Sequence, residues 1–134
     1  MPTLTNIVIK KADGTTDVTY TAVQGAAGPN VPAMFRNNTV GTTVAERPTF
    51  HIKGADNGNG TARRMRCDFS WPIVSTDAGG NKRVTGRMSG EASILMPQNQ
   101  DAATIKEQAY QFGNLIGSVL IKASFDEGYA PRSA

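Results

Sequence analysis

Cysteine and histidine, the residues that form disulfides and thiol-based catalytic pairs, are scarce in this sequence. Its 134 residues include one cysteine, Cys67, and one histidine, His51. A single cysteine excludes an internal disulfide, so the fold is compatible with a reducing compartment. A domain of about this length buries enough apolar surface to fold without a disulfide or a metal ion. We therefore predict one domain, residues 1–134, with no cofactor and no metal site.

Long apolar runs are also missing. No stretch approaches the roughly 18 consecutive apolar residues of a membrane span, and no basic-then-apolar signal segment opens the chain. We expect a protein of intracellular origin that has no membrane partner. The Asn-x-Thr triplets at Asn37 and Asn59 are then chance occurrences rather than glycosylation sites.

The positive charge is concentrated in one part of the chain. The net charge is +3. Residues 47–93 hold eight Lys/Arg and four Asp/Glu, whereas residues 1–46 hold three of each and residues 97–134 hold three and four. The basic surplus therefore lies in the middle of the sequence. A local surplus of this kind is typical of proteins that bind phosphate-bearing partners.

Three segments of this basic region alternate in polarity as β-strands do: residues 47–53, residues 64–71, which Pro72 should end, and residues 83–94. Because successive side chains of a strand point to opposite faces, each segment separates into two sets. The set on the predicted apolar face is Phe50, Ile52, Met65, Cys67, Phe69, Trp71, Val84, Met88, Ala92 and Ile94. The set on the predicted polar face is Arg47, Thr49, His51, Lys53, Arg64, Arg66, Asp68, Ser70, Arg83, Arg87, Ser89, Glu91 and Ser93. The polar set holds six Lys/Arg and two carboxylates, which fits a solvated surface or a nucleic-acid interface.

The segments on either side complete an antiparallel meander. Residues 4–11 and 16–23 predict a hairpin around Asp13-Gly14, because both turn positions tolerate positive φ. Residues 33–38 predict a short strand. The glycine-rich segment 54–60 predicts a turn: it lacks the ligand spacing of a calcium loop, and no helix follows it as a dinucleotide-binding loop requires. Residues 75–82, with Gly79-Gly80, predict a second loop.

The sequence period changes to that of a helix after Pro97. One apolar stripe, spaced by 4, 3, 4 and 3 residues, is formed by Ile105, Ala109, Phe112, Ile116 and Val119. We predict a helix over 101–115, capped by Asn99 or Asp101, and a second helix or a kinked continuation over 118–127. Gly113 and Gly117 weaken the interior, and Gly128 ends the second segment.

Together these elements predict an α+β fold in a single domain. It consists of an N-terminal β-hairpin (1–24), an antiparallel meander β-sheet (33–96) and two C-terminal α-helices (100–128). The narrow apolar stripe of the helices must lie on an apolar sheet face. The sequence pattern leaves open whether that face belongs to the same chain or to a second copy.

The order and spacing of these parts resemble the coat proteins of the single-stranded RNA bacteriophages, the levivirus type. The likeness covers nearly the whole chain. It includes the Asp13-Gly14 hairpin, the entry Val44–Thr49, the strand that ends in Pro72, the 75–82 loop, the strand end Glu91–Ile94 and the closing Gly128-Tyr129.

The resemblance implies a structural protein of the virion. Two subunits would join edge to edge into a homodimer, with the helices of each packed on the sheet of the other. Dimers would assemble into an icosahedral shell in the cytoplasm of a bacterial host. The polar sheet face would bind single-stranded genomic RNA and, as in well-studied members, an RNA hairpin that represses replicase translation. The 75–82 loop would change conformation at the symmetry axes.

Carried onto this sequence, the resemblance implies RNA contacts from the polar face. The matching positions are Arg47, Thr49, His51, Lys53, Arg66, Asp68, Arg87 and Ser89, and strand alternation adds Arg64 and Arg83. Two positions depart from the best-known members: His51 replaces a small hydroxyl residue of a base pocket, and Asp68 replaces a lysine. These departures bear on hairpin specificity and leave phosphate binding intact.

Two other functions fit the sequence less well. A cellular RNA-binding dimer that forms no shell would display aromatic residues for base stacking, whereas Phe50, Phe69 and Trp71 fall on the apolar face. An enzyme that uses a Cys–His pair is excluded if Cys67 and His51 lie on opposite faces. We therefore predict that the protein is not an enzyme.

Overall fold

The fold was taken from a computed structural model that describes residues 2–133. It contains six β-strands: β1 (Ile7–Lys10), β2 (Asp17–Gln24), β3 (Ala33–Arg36), β4 (Thr49–Asp56), β5 (Ala62–Thr76) and β6 (Lys82–Pro97). Two α-helices follow, α1 (Ala102–Ile116) and α2 (Val119–Glu127), and a short 3₁₀ helix, Val44–Glu46, lies between β3 and β4. All neighbouring strands are antiparallel, in the order β1-β2-β3-β4-β5-β6. The predicted α+β meander with C-terminal helices is confirmed.

The N-terminal hairpin turns where its sequence predicts. Gly14 has φ +74°, and its backbone N–H donates to the carbonyl of Lys11. The Asp13 carboxylate accepts hydrogen bonds from the Thr16 hydroxyl and from the backbone N–H groups of Thr16 and Thr15. These donors lower the pKa of Asp13 to about 2, the Thr16 hydroxyl having the largest effect. The turn is therefore stabilised by the ionised aspartate.

Both helices begin and end at local signals in the sequence. The Asp101 side chain caps α1 by accepting from the backbone N–H of Thr104, and the Ser118 hydroxyl caps α2 by accepting from that of Ile121. The hydrogen bonds from Thr104 lower the pKa of Asp101. Gly128, at φ +77°, ends α2 in the left-handed conformation that glycine adopts most readily. Neither helix, within residues 2–133, is long and apolar enough to span a membrane.

The core lies on the apolar face at the β2–β4 end of the sheet. Tyr20, Ala33 and Phe35 are buried there, and partly buried residues pack around them: Ile7, Val18, Ala22, Phe50, Ile52 and Phe69. Burial raises the pKa of the Tyr20 hydroxyl. The apolar face that the sequence alternation predicts is therefore buried at this end of the sheet.

The helices contribute little to this core. Across residues 2–133, neither helix packs extensively against a strand of its own chain, and the two helices contact each other. Trp71 and Met88 on the sheet stay 36% and 58% exposed, and Val119 and Phe125 on α2 are 81% and 66% exposed. A single chain therefore leaves apolar surface uncovered on both the sheet and the helices.

The predicted end of the second central strand is wrong. β5 does not stop before Pro72 but continues to Thr76, and Pro72 lies opposite Arg87 of β6. The pairing of β5 with β4 ends at Ser70, opposite Thr49. Past that point β5 has β6 as its one neighbour, so a residue without an N–H group is tolerated there. The following loop is shorter than predicted, since β6 already begins at Lys82.

The first central strand also starts later than predicted. Residues Val44–Glu46 form the 3₁₀ helix, and β4 begins at Thr49 rather than at Arg47. The Glu46 carboxylate accepts from the backbone N–H and hydroxyl of Thr42, at 2.7 and 3.0 Å, and from the N–H of Thr43. These bonds, with a smaller effect from Lys82, lower the pKa of Glu46. The carboxylate therefore holds the chain in the turn that precedes the strand.

Candidate nucleic-acid interface

Strand pairing places most of the predicted polar residues on one face. Residues directly opposite each other in an antiparallel pair share a face. One row across the sheet is Arg36, Thr49, Ser70 and Ser89; the next is Met34, His51, Asp68 and Glu91; a third is Lys53, Arg66 and Ser93. Arg64 and Arg87 continue the same face at its two ends. The polar face is thus formed by β3 to β6.

The face predicted for Arg83 is wrong. Ile73 pairs with Gly86 and Val74 pairs with Val84, so Thr85 is an extra residue in β6. Such a bulge inverts the alternation beyond it. Arg83 therefore lies opposite Ser75, on the same face as Trp71, and Val84 takes the polar side with Val74.

The centre of the polar face is a salt-bridged cluster of Arg66, Asp68 and Glu91, with His51 beside it. The guanidinium of Arg66 lies 3.1 Å from Asp68 Oδ1 and 2.6 Å from Glu91 Oε2. These residues line a shallow depression of about 440 Å³ together with Ser70 and Ser89. Two carboxylates thus neutralise Arg66, whereas the sequence had counted it among the cations available to a partner.

The other cations of the polar face are not neutralised in this way. Arg87 donates from Nη1 to Ser70 Oγ at 3.2 Å. For Lys53, Arg64 and Arg87, no carboxylate of residues 2–133 lies within salt-bridge distance. Free cations among hydroxyl groups suit the binding of phosphate oxygens.

The sequence analysis missed Arg36 and Asn38. Arg36 lies opposite Thr49, and both Arg36 and Arg47 donate to the side-chain oxygen of Asn38. The polar face was derived from the three central strands, and the faces of the short β3 segment were not assigned. Alternation within residues 33–38 would have placed Arg36 and Asn38 on one face.

The polar face shows no arrangement for thiol catalysis. His51 pairs with Asp68, whereas Cys67 pairs with Ile52 on the apolar face. Burial, followed by the charge of Asp68, raises the pKa of Cys67, so the nucleophilic thiolate is disfavoured. In the described part of the chain, no group of three or more His, Cys, Asp or Glu side chains is placed to hold a metal ion.

Comparison with known proteins identifies the fold through solved structures. No protein-family model and no curated protein matches the sequence. The virus-like particle of Beihai levi-like virus 21 is similar at a TM-score of 0.79 and 20% identity, over 99% of this chain and 100% of that chain. The bacteriophage EMS014 coat protein is similar at 0.76 and 12% identity, over 98% and 100%. The bacteriophage GA protein capsid is similar at 0.71 and 13% identity, over 95% and 96%.

The chain has the levivirus coat-protein fold. The match extends from the N-terminal hairpin to the C-terminal helices, because at least 95% of the chain is covered in each comparison. The levivirus coat-protein fold therefore accounts for the order of elements that the sequence predicts. The RNA contacts of the individual polar-face residues stay predictions.

Proposed function

We propose that this chain is a phage coat protein that forms homodimers, assembles into an icosahedral shell and packages single-stranded RNA. The observation that carries the proposal is the full-length similarity of its fold to the subunits of virus-like particles and capsids. The protein would then belong to the virion and assemble in the cytoplasm of its bacterial host. Its role is structural rather than catalytic.

Two features of the single chain support a dimer. β6 is a 16-residue edge strand with β5 as its one neighbour in the described sheet. A long free edge pairs readily with another strand, and a second β6 would continue the sheet. The uncovered apolar side chains of α2 and the exposed Trp71 and Met88 would bury each other if the helices of each subunit lay across the sheet of its partner.

The polar face supports RNA binding. Lys53, Arg64 and Arg87 offer unneutralised cations, and Thr49, Ser70 and Ser89 offer hydroxyl groups between them. Phosphate contacts give affinity that depends on salt, and hydrogen bonds to unpaired bases give sequence preference. Binding of a hairpin that represses replicase translation would use the same face, with His51 and Asp68 deciding its sequence.

The test of shell formation is expression in bacteria. We expect negative-stain microscopy to show closed shells of uniform size, and nucleic acid extracted from purified shells to be single-stranded RNA. Small oligomers that carry RNA would overturn the coat-protein role and favour a cellular RNA-binding dimer. Particles that are closed but free of nucleic acid would overturn the packaging role alone.

The test of the dimer uses the single tryptophan. Trp71 is partly exposed in one chain, so burial by a partner helix should shift its fluorescence emission to the blue. We expect Val119→Asp on α2 to abolish the shift and to leave no folded species at low concentration. Val8→Asp, the same substitution at an exposed site of β1, is the control and should still dimerise. A folded monomer that persists on dilution would contradict the dimer.

A further inference from the structure

Two arginines converge on one neutral oxygen at the β3 side of the polar face. Arg36 Nε lies 3.0 Å from Asn38 Oδ1, and Arg47 Nη1 lies 3.3 Å from the same atom. β3 ends at Arg36, and Asn38 lies in the turn that follows, where the contact from Arg36 Nε brings the two side chains together. Arg36 is also directly opposite Thr49, a member of the polar face.

This arrangement differs from the other arginine contacts of the protein. Arg63 is paired with Asp56, and Arg66 is paired with Asp68 and Glu91. Arg36 and Arg47 have no carboxylate partner in residues 2–133. An amide oxygen carries only a partial charge, so the repulsion between the two guanidinium groups is not neutralised.

The Arg47 side chain also has a hydrogen-bond donor without an acceptor. Its Nε atom is removed from solvent and has no hydrogen-bond acceptor. A buried donor without a partner is costly. A rotation of the Arg47 side chain that brought this N–H to an oxyanion would relieve that cost. The site therefore combines two guanidinium groups and an unpaired donor, with no carboxylate of residues 2–133 in salt-bridge distance of either arginine.

We propose that Arg36, Arg47 and Asn38 form a binding site for one backbone phosphate of the packaged RNA. The inference rests on the proposed function, and it adds Arg36 and Asn38, which strand alternation in the central sheet does not predict, to the predicted contact Arg47. Planar guanidinium groups match the oxygens of a phosphodiester, and the Asn38 oxygen holds both groups at the site in its absence. A phosphate contact carries no base information, so this site would fix the position of the strand on the sheet.

Asn38→Asp tests the site, because it places a carboxylate between the two arginines. The substitution keeps both hydrogen bonds and fills the anion site from within. We expect the variant to bind fluorescein-labelled oligouridylate about fivefold more weakly than the wild type at 0.1 M salt, with a log–log salt slope smaller by about 0.7 per site. Its thermal unfolding midpoint should be equal to or higher than that of the wild type. Arg36→Gln and Arg47→Gln should show the same loss of slope.

Asn59→Asp, which adds the same charge in the exposed turn after β4, is the matched control and should bind as the wild type does. If Asn38 only ties the two arginines together, Asn38→Asp would bind oligouridylate with the wild-type affinity and slope, and that result would overturn the proposal. Failure of the wild type to bind oligouridylate at all would instead overturn the proposed packaging function. The two failures are therefore distinguishable in one titration series.

Discussion

Asp68 and Glu91 lie directly opposite each other across the β5–β6 pair, and their carboxylates are bridged by one guanidinium group. Like charges in this relation destabilise a sheet unless a cation lies between them. Arg66 supplies that cation, with hydrogen bonds of 3.1 Å to Asp68 and 2.6 Å to Glu91. The centre of the polar face consequently has two carboxylates for one guanidinium, an excess of one negative charge, and its free cations lie around that centre.

Glu91→Gln should strengthen RNA binding, because it removes a negative charge and takes away one of the two carboxylates that pair with Arg66. We expect oligouridylate affinity at 0.1 M salt to rise about fivefold and the log–log salt slope to become steeper by about 0.7. An exposed ion pair contributes only about 0.2–1 kcal/mol, so the unfolding midpoint should change little.

The control for Glu91→Gln is Glu107→Gln, which makes the same charge change on α1, where Glu107 bonds to Gln111. It should leave the salt slope of RNA binding unchanged. Equal slopes for Glu91→Gln and the wild type would show that Arg66 does not reach a phosphate even when it is released.

Arg87→Gln and Arg83→Gln should differ in their effect on RNA packaging, although the two residues are only four positions apart in one strand and regular alternation would place them on one face. The bulge at Thr85 leaves Arg87 on the polar face and turns Arg83 to the face of Trp71. We expect Arg87→Gln to lower the RNA content of purified shells and to reduce the salt slope by about 0.7 per contact. Arg83→Gln should package RNA as the wild type does. The ratio of absorbance at 260 and 280 nm measures the difference, and equal losses would contradict the inverted alternation.

Glu46→Gln should destabilise the protein at neutral pH and have progressively less effect in acid. The hydrogen bonds from Thr42 lower the pKa of Glu46 in the folded state, whose ordinary value is 4.5. A carboxylate whose pKa is lower in the folded state than in the unfolded state stabilises the fold at pH values above its unfolded pKa. That stabilisation is lost as the pH falls through its folded pKa. Urea midpoints of wild type and variant should therefore differ at pH 7 and converge as the pH falls below 4.5 and through the lowered folded pKa of Glu46.

Asp13 and Asp101 also have lowered pKa values, but the wild type and the Glu46→Gln variant both contain these two aspartates. Their loss of stability in acid therefore cancels in the comparison. A difference between wild type and Glu46→Gln that stays constant from neutral pH to acid would show that the Glu46 charge does not stabilise the 3₁₀ turn.

Gly41→Ala should be far more destabilising than Gly60→Ala. Both glycines have positive φ, +77° and +66°, so both variants incur backbone strain of about 1–2 kcal/mol. A Cβ atom on Gly41 would also lie 2.6 Å from Glu46 Cβ and 3.1 Å from the Glu46 carbonyl oxygen, whereas one on Gly60 meets nothing within 4 Å. We expect an additional cost of about 1–3 kcal/mol at Gly41, measured by urea unfolding at fixed protein concentration. Equal costs would exclude the close approach as the reason for glycine at position 41.

Local signals allowed much of the fold to be predicted. Asp101, Ser118 and Gly128 specify the helix ends through their own side chain or backbone, and Gly14 specifies the hairpin turn in the same way. The alternation of β4 and most of β5 also follows from the sequence, because one face is buried and the register is thereby fixed. These features depend on residues that are close in sequence.

Other features depend on pairing between distant segments and could not be predicted. The bulge at Thr85 arises from the register of β5 against β6. The adjacent Gly86 is the one local signal for it, since glycine within a strand often marks a bulge, but it does not fix which residue is extra, so Arg83 was assigned to the wrong face. Pro72 indicates a strand end in isolation, yet it is tolerated because it lies beyond the first residue of β4, Thr49, which pairs with Ser70. The neutralisation of Arg66 needs Glu91, which is 25 residues away.

The bare apolar surface of a lone subunit has a consequence for how the protein accumulates in a cell. If the proposed dimer covers this surface, a newly made chain would expose Trp71, Met88 and the side chains of α2 until it met another copy, and during that interval it would be open to chaperones and proteases. Survival would then depend on an encounter between two chains, whose frequency rises with the square of their concentration. The amount of intact protein should therefore increase more steeply than the rate of its synthesis, so that poorly translated messages yield almost none.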